Sequence, residues 1–150
     1  MAASKKVRKS EGPKKEGNPD DFLIKHPSWN FSRCDIDTNC KWSFNHARLN
    51  EEFWTQIFPK LRQFESMTWN EIQTQNSKHN HKNSIEIMNK CAVERLAELE
   101  LEIDSLFSLR LTGKIRIYGY RENSAFFLVW YDNDHGDNDT CVVRAKLKHT

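Results

Sequence analysis

Apolar residues first recur at helical spacing in the middle of the chain. From Leu49 onward they return every three or four positions, which predicts an amphipathic helix with one buried face. Pro59 lies inside this pattern, and proline lacks the backbone N–H that a helix interior uses. We therefore expect the helix to be kinked or split at Pro59. The apolar positions are Phe53, Trp54, Ile57, Phe58, Leu61 and Phe64.

Polar residues predict where two further helices begin and where the chain leaves them. Thr68 and Glu71 form a T-x-x-E capping box, which is typical of a helix start. The run from Gln73 to Ser84 has no apolar residue, so we expect an exposed loop there. Asn89 can cap a third helix, because the residues after it place apolar side chains on one face. These are Ala92, Val93, Leu96 and Leu99.

After Asp104 the spacing changes to that of β-strands. Three runs, 106–111, 115–120 and 125–131, are rich in β-branched and aromatic residues and are separated by short turns. The last two runs predict an antiparallel hairpin. Further short strands are predicted near 41–44 and from 141 to 145, with a polar loop over 132–139.

This order of elements predicts one α+β domain over residues 21–150, in which the helices pack on one face of a small antiparallel sheet. Residues 1–20 have almost no apolar side chains, so we expect a flexible basic tail. Alternation along the second long strand places Arg116, Tyr118 and Tyr120 on the face away from the helices. That open face is where function is expected.

Composition excludes several classes of protein. The chain has 150 residues, 37% of them hydrophobic, with a mean hydropathy of -0.81 and no apolar run that would span a membrane. The basic N-terminus is not followed by the apolar stretch of a signal peptide, so a cytosolic protein is expected. The four cysteines are then reduced thiols.

Charge is distributed unevenly around a net value of +2. Residues 1–16 carry +4 and residues 144–150 carry +3, which leaves -5 on the remainder. A protein that grips nucleic acid over a broad surface usually has a strongly basic domain. Any nucleic-acid site in this chain is therefore expected to be local.

The predicted sheet carries a candidate surface of arginine, lysine and tyrosine. Guanidinium groups bind phosphates and tyrosine rings stack on bases, so such a surface suits single-stranded RNA. The alternative is a solvated sheet face that the tyrosines cover. The polar loop adds His79 and His81, which either titrate near neutral pH as acid, base or ligand or are simply solvated. The residues of the surface are Arg110, Lys114, Arg116, Tyr118, Tyr120 and Arg121.

The stretch from Leu109 to Tyr118, the strand from Phe126 to Tyr131 and the following His135 resemble the C-terminal sheet of the RelE/ParE toxin superfamily, particularly the YoeB-type mRNA interferases. In that family an arginine precedes a short turn, a second arginine opens the next strand, and the hairpin ends near a histidine. The match covers roughly residues 106–135. The wider run from His79 to Thr150 is also similar to a group of bacterial proteins without an assigned activity.

The resemblance implies a RelE-like fold and cleavage of mRNA in the ribosomal A site by attack of a 2′-hydroxyl on the adjacent phosphate. It implies that Arg116 stabilises the phosphate, that Arg110 supports it and that His135 is the general acid. Glu86 is the nearest candidate, in chain order, for the family's glutamate base. Partners would be RNA or the ribosome and an antitoxin-like protein. His79, His81, Lys146 and Lys148 are candidate helpers in RNA binding.

A second hypothesis is a non-catalytic module that binds RNA or a protein, as an accessory of a mobile element or defence system. The acidic body of the chain favours it. No cofactor is expected from the sequence, and no metal site is predicted. A zinc site of Cys34, Cys40, Cys141 and His149 is disfavoured, because Cys34 and Cys40 lack the usual close spacing of zinc ligands.

Overall fold

The structure is a computed structural model that describes residues 21–45, 49–75, 80–133 and 141–143. The predicted tail over 1–20 lies outside these residues. So do four of the candidate site residues, which are His79, His135, Lys146 and Lys148. Of the strand predicted at 141–145, the structure describes 141–143, where Val143 forms an isolated antiparallel bridge with Met88.

A five-stranded sheet forms the centre of the molecule. Its strands are β1 (Ser28–Asn30), β2 (His81–Ser84), β3 (Ser105–Thr112), β4 (Ile115–Glu122) and β5 (Ala125–Asp132). Their spatial order is β1-β5-β4-β3-β2. The three long strands confirm the sequence prediction to within a residue or two at each end. The sheet is mixed and not purely antiparallel as predicted, because β1 runs parallel to β5.

The described chain also contains five helical segments. They are α1 (Leu49–Glu52), a π-helical segment (Phe53–Ile57), α2 (Phe58–Glu65), α3 (Trp69–Gln75) and α4 (Lys90–Glu98). Two short 3-10 turns, Asp21–Ile24 and Ile85–Ile87, complete the set. None of the helices in the described part of the chain is long and apolar enough to cross a membrane.

The split predicted at Pro59 is confirmed as a change of helical register. Pro59 has no N–H to donate, and the preceding N–H of Phe58 bonds to the carbonyl of Phe53, five residues earlier. Pro59 then stands in the first turn of α2, where its missing donor costs nothing. The long predicted helix is therefore α1, a π turn and α2 in succession.

The capping box at α3 is also confirmed. The N–H of Thr68 donates to Glu71 Oε1 over 2.9 Å, and the N–H of Glu71 donates to Thr68 Oγ1 over 3.2 Å. Asn89 precedes α4 as predicted, but its side chain does not cap the helix. It donates instead to the carbonyl of Cys141.

Helices cover both faces of the sheet, so the prediction of a single covered face is wrong. Along β3, Phe107, Leu109 and Leu111 pack against α2 and α3, while Leu106 lies in the other cluster with α4. Successive residues of β3 belong to different clusters because successive side chains of a strand point to opposite faces of the sheet. The first cluster includes Ile57, Leu61, Phe64, Trp69 and Ile72; the second includes Trp42, Ala92, Leu96, Tyr118 and Trp130.

Two polar segments are also placed differently from prediction. The end of the predicted loop, His81–Ser84, is an edge strand that pairs with β3. Its Asn83 is buried there, and the side-chain amide donates to Ser108 Oγ and to the carbonyl of Leu106. Residues 41–44 form turns and not a strand. There Ser43 Oγ donates to the carbonyl of Asp35 over 3.0 Å.

The α+β class is therefore established by the structure, whereas the RelE-like assignment of that class stays a prediction. The segment 31–45 follows β1 along the edge of β5, where the backbone N–H of Asp35 donates to the carbonyl of Val129 over 2.9 Å. Its Trp42 packs in the cluster with α4, while its Phe44 packs against the cluster with α2 and α3. The N–H of Tyr131 donates to the carbonyl of Trp42, also over 2.9 Å. The segment thus helps to cover the face that the sequence suggested was open.

A buried carboxylate, Asp35, ties this segment to α4 and β5. Arg95 binds it bidentately, with both N–O distances 2.8 Å, and Trp130 Nε1 donates to it over 2.9 Å. Burial raises the pKa of Asp35, but these hydrogen bonds outweigh it and bring the pKa down to about 2. The side chain of Asp35 is fully buried, whereas that of Arg95 is 21% exposed.

Candidate functional site

Three charged side chains lie in one row across the strands at the β3–β4 turn. Arg110 of β3 is paired with Arg116 of β4, and Arg116 is paired in turn with Asp132 of β5. Like charges directly opposite each other on neighbouring strands are destabilising. Asp132, which is buried and accepts the N–H of Val142 over 2.8 Å, offsets part of this repulsion. The structure therefore brings the two predicted arginines together.

Arg116 is only 6% exposed, although the resemblance implies that it contacts a phosphate. Its Nη1 donates to the carbonyls of Gly113 over 2.7 Å and Ile115 over 3.2 Å. Burial lowers the pKa of Arg116, and Arg110 lowers it further, while Tyr118 and Asp132 act in the opposite direction. In this conformation Arg116 holds the β3–β4 turn and is not positioned to contact a substrate.

The two tyrosines are not available for stacking on bases as predicted. Tyr118 is fully buried in the cluster beneath α4, and burial raises its pKa well above the usual range. Tyr120 is half-buried, and its ring stacks on Phe127 at 5.1 Å with an interplanar angle of 4°. The prediction of an open aromatic face fails because alternation specifies the side of a strand and not what covers that side.

Glu86 lies at the other end of the sheet from Arg116. It follows β2, whose last residue Ser84 pairs with Ser105, five positions before Arg110 on β3. At about 3.3 Å per residue this places the two ends about 16 Å apart. The structure therefore does not bring the predicted base and the predicted phosphate ligand together.

The remaining predicted residues are scattered. Lys114 is exposed in the β3–β4 turn, close to the paired arginines. Arg121 is at the opposite end of β4, where its guanidinium lies 3.3 Å from the ring centroid of Phe22 and Nη1 donates to the carbonyl of Asn123. His81 opens β2 and pairs with Ser108 in the middle of β3. Of the predicted residues that the structure describes, Lys114 is the one that joins Arg110 and Arg116 at one end of the sheet.

A cleft of about 580 Å³ opens at this end, between α2, α3 and β3. Lys60 and the amide groups of Gln63 and Asn80 line it. Arg110 borders it through its backbone N–H, which donates to Asn80 Oδ1 over 2.9 Å, whereas the strand register places the Arg110 side chain beside Arg116, on the α4 side of the sheet. The carboxylate of the cleft is Glu71, whose Oε1 is occupied by the helix cap. Phe64, Met67 and Leu111 supply its apolar walls. We call it the turn-end cleft; Lys60 lies within it and Arg110 at its edge, against one carboxylate.

A larger cleft of about 750 Å³ lies at the opposite end of the sheet and has the reverse charge. Three carboxylates line it, Glu102, Asp104 and Glu122, against two cations, Lys82 and Arg121. The exposed acids Glu98 and Glu100 are close by in the chain. Among the described residues, the two ends of the sheet therefore differ in the sign of the charge that predominates.

Sequence reasoning missed an exposed aromatic cluster around the start of the π turn. Phe53 lies at the centre of this cluster, and its ring centroid is 5.2 Å from that of Trp54, 6.4 Å from that of Phe58 and 6.4 Å from that of Phe31. Trp54 is 62% exposed, Phe31 46% and Phe58 39%. Such a patch on a monomer usually marks an interaction surface. The sequence placed Trp54 and Phe58 in the core because both fit the apolar helical spacing.

Within residues 21–45, 49–75, 80–133 and 141–143, no group of three or more His, Cys, Asp or Glu side chains could hold a metal ion. Cys34 and Cys40 are half-buried, and burial raises the pKa of Cys34 to about 12 and that of Cys40 to about 11. Cys141 is buried and donates to the carbonyl of Val143. His149, the fourth residue of the disfavoured zinc set, lies outside the described residues.

No protein-family model matches this chain, and neither does any curated protein or solved structure. The clefts, the arginine row and the aromatic cluster are therefore the features from which a function can be inferred.

Proposed function

We propose that this chain is a non-catalytic module that binds single-stranded RNA through the turn-end cleft. The observation that carries the proposal is the segregation of charge between the two ends of the sheet. Lys60 lines the turn-end cleft, Arg110 stands at its edge and Lys114 lies in the adjacent turn, while three carboxylates line the opposite cleft. Phosphate contacts supply most of the sequence-independent affinity for nucleic acid.

The shape of the cleft supports a single strand in preference to a duplex. It is a local recess beside one helix, where the exposed side-chain amide of Gln63 lies near Lys60. The amide of Asn80 is buried and bound to the backbone of Ile72 and Arg110, so Gln63 is the amide that faces a ligand. Amides hydrogen-bond to base edges that are accessible only in unpaired RNA. The acidic character of the opposite end repels phosphate, so a strand is confined to this side of the molecule.

The proposal is non-catalytic because the groups implied by the family resemblance are not assembled in the cleft. Arg116 is engaged by the backbone of the turn, and Glu86 lies at the other end of the sheet. Phosphodiester cleavage needs a base and an acid within hydrogen-bonding reach of the reacting oxygens. Endonucleolytic cleavage, with a ribosome or an antitoxin as partner, stays the second hypothesis.

Replacing Lys60 in the cleft and Arg110 at its edge, Lys60→Ala with Arg110→Ala, is expected to weaken binding of a labelled unstructured RNA at least tenfold at low salt. Each lost contact removes about 0.7 from the slope of log affinity against log salt, so the slope should fall by about 1.4. Fluorescence anisotropy at several salt concentrations measures both values. The matched control is Lys82→Ala with Lys90→Ala, which removes the same charge elsewhere and should leave the slope unchanged. Equal slopes for the two double variants would contradict the proposal.

Wild-type protein incubated with RNA, with and without translating ribosomes, is expected to leave the RNA 5′ ends unchanged. Mapping of 5′ ends by sequencing checks this, and controlled expression in a bacterial host should likewise cause no growth arrest. New ends that disappear in Arg110→Ala would overturn the non-catalytic proposal and establish the endonuclease hypothesis. Arg110→Ala is preferred to Arg116→Ala here, because Arg116 supports the turn and its removal perturbs the fold.

A further inference from the structure

We infer that Trp54 and Phe58 form a stacking site for unpaired bases of the RNA strand that binds the turn-end cleft. This inference rests on the proposed function and extends the RNA-binding surface to the flank of α2 that faces away from the cleft. Two neighbouring rings hold the indole of Trp54, each 5.2 Å away between centroids, at interplanar angles of 88° for Phe53 and 59° for Phe58. Yet 62% of Trp54 stays exposed. An aromatic ring that is supported and still exposed is a sequence-tolerant platform for a base.

The charge around the rings favours a nucleotide as the occupant. The guanidinium of Arg62 lies 5.8 Å from the ring centroid of Phe58 and is exposed, so one cation is available for a phosphate beside the stacked base. Arg33 is exposed two residues after Phe31. Glu51, one helical turn before Trp54, is the exposed acid near the rings and would repel a phosphate on that flank.

The rings and the turn-end cleft share one helix. Lys60 faces the cleft, and Phe58 and Arg62 lie on the other flank of α2. A helix with its side chains is about 10 Å across, which a strand of a few nucleotides spans. The π turn that carries Phe53 and Trp54 is an irregularity frequently found at functional sites, which independently singles out this segment.

Trp54 supplies its own optical probe. The chain has five tryptophans, and the other four are buried or half-buried, so Trp54 dominates the fluorescence that acrylamide can quench. An adenosine oligonucleotide is expected to quench this exposed component, and an abasic strand of the same length and charge is expected not to. Trp54→Phe should abolish the signal without abolishing binding, which assigns it.

Trp54→Ala is expected to weaken binding of the adenosine oligonucleotide about tenfold and to leave both the salt slope and the affinity for the abasic strand unchanged. The matched control is Phe31→Ala, which truncates another exposed ring of the cluster away from α2. Equal affinity of Trp54→Ala and wild type for the adenosine strand, with salt-dependent binding intact, would overturn the stacking site and leave the proposed function standing.

Two other outcomes overturn the inference in distinguishable ways. Failure of wild type to bind either strand removes the proposed function, and the stacking site with it. Protection of Trp54 from acrylamide on raising the protein concentration without RNA, with a dimer seen by analytical ultracentrifugation, would show that the aromatic cluster joins two copies of the chain.

Discussion

Asp35→Ala is expected to lower the free energy of unfolding by about 3 to 4 kcal/mol, because it breaks a buried ion pair on one side only. Arg95 would lose its bidentate partner, and the buried N–H of Trp130 would lose its acceptor. Urea denaturation followed by far-UV circular dichroism measures the change. Asp37→Ala is the matched control, since Asp37 is 3.5 Å from Arg95 with its side chain 41% exposed, and should cost less than about 1 kcal/mol. Similar losses in the two variants would refute this account.

The same carboxylate gives stability a defined pH dependence. The pKa of Asp35 falls from 3.8 to about 2 on folding, so its contribution is complete above pH 4 and is lost as the pH drops toward 2. A shift of this size corresponds to about 2 kcal/mol. This acid-labile component should be missing from Asp35→Ala. An identical acid profile in the variant would assign the loss to other carboxyl groups.

Gly119→Ala is expected to prevent folding or to cost about 4 kcal/mol or more. Gly119 stands at the irregularity where β4 and β5 change register, and a Cβ there would meet the backbone oxygen of Phe127. It would also lie 2.8 and 2.9 Å from two ring carbons of Phe126, which is fully buried. The backbone of Phe127 is held in the sheet and the ring of Phe126 is packed in the core, so neither group has room to move.

Gly113→Ala provides the comparison for this prediction. Gly113 has a φ of +46°, but an added Cβ would have no atom within 4 Å. The cost there is conformational strain alone, about 1 kcal/mol. Thermal and urea unfolding of both variants separates the two causes. An equal loss of unfolding free energy in Gly119→Ala and Gly113→Ala would contradict the close approach of Phe126 and Phe127 to Gly119.

Local rules were sufficient where one segment determines its own structure. Thr68 and Glu71 form the hydrogen bonds of the capping box within four residues, and Pro59 changes the register of the helix that contains it. The long strands were predictable for the same reason, since their composition and the short turns between them are local signals. These elements needed no information about distant parts of the chain.

The missed strands depend on distant partners. β1 has three residues and pairs in parallel with β5 at the other end of the sequence, so it has no hairpin signal. β2 is polar throughout, and its buried Asn83 is accommodated because Ser108 Oγ and the carbonyl of Leu106 on β3 accept hydrogen bonds from its amide. Alternation of side chains along β4 is equally compatible with a solvated face and with a face that α4 covers. The sequence therefore could not show that Arg116 and Tyr118 are buried.

The aromatic cluster had one signal in the sequence that went unused. At 100° per residue, the apolar positions from Phe53 to Phe64 span roughly 140° of the helix surface, wider than a minimal core-facing stripe. Trp54 and Phe58 stand at one margin of that stripe, and these are the two that the structure exposes. The width of an apolar stripe can therefore flag surplus aromatic residues before a structure is known.

The long sequence separation between the N-terminal segment and β5 sets a waiting time during synthesis. Asp35 meets Trp130 across 95 residues, and β1 has no other neighbouring strand in the described sheet. At 5 to 20 residues per second, the ribosome needs about 5 to 20 seconds to make the intervening chain. Through that interval Trp29 and Trp42 have emerged without the strand that later buries them. The nascent segment that contains Trp29 and Trp42 is thus exposed to premature association until β5 has been made.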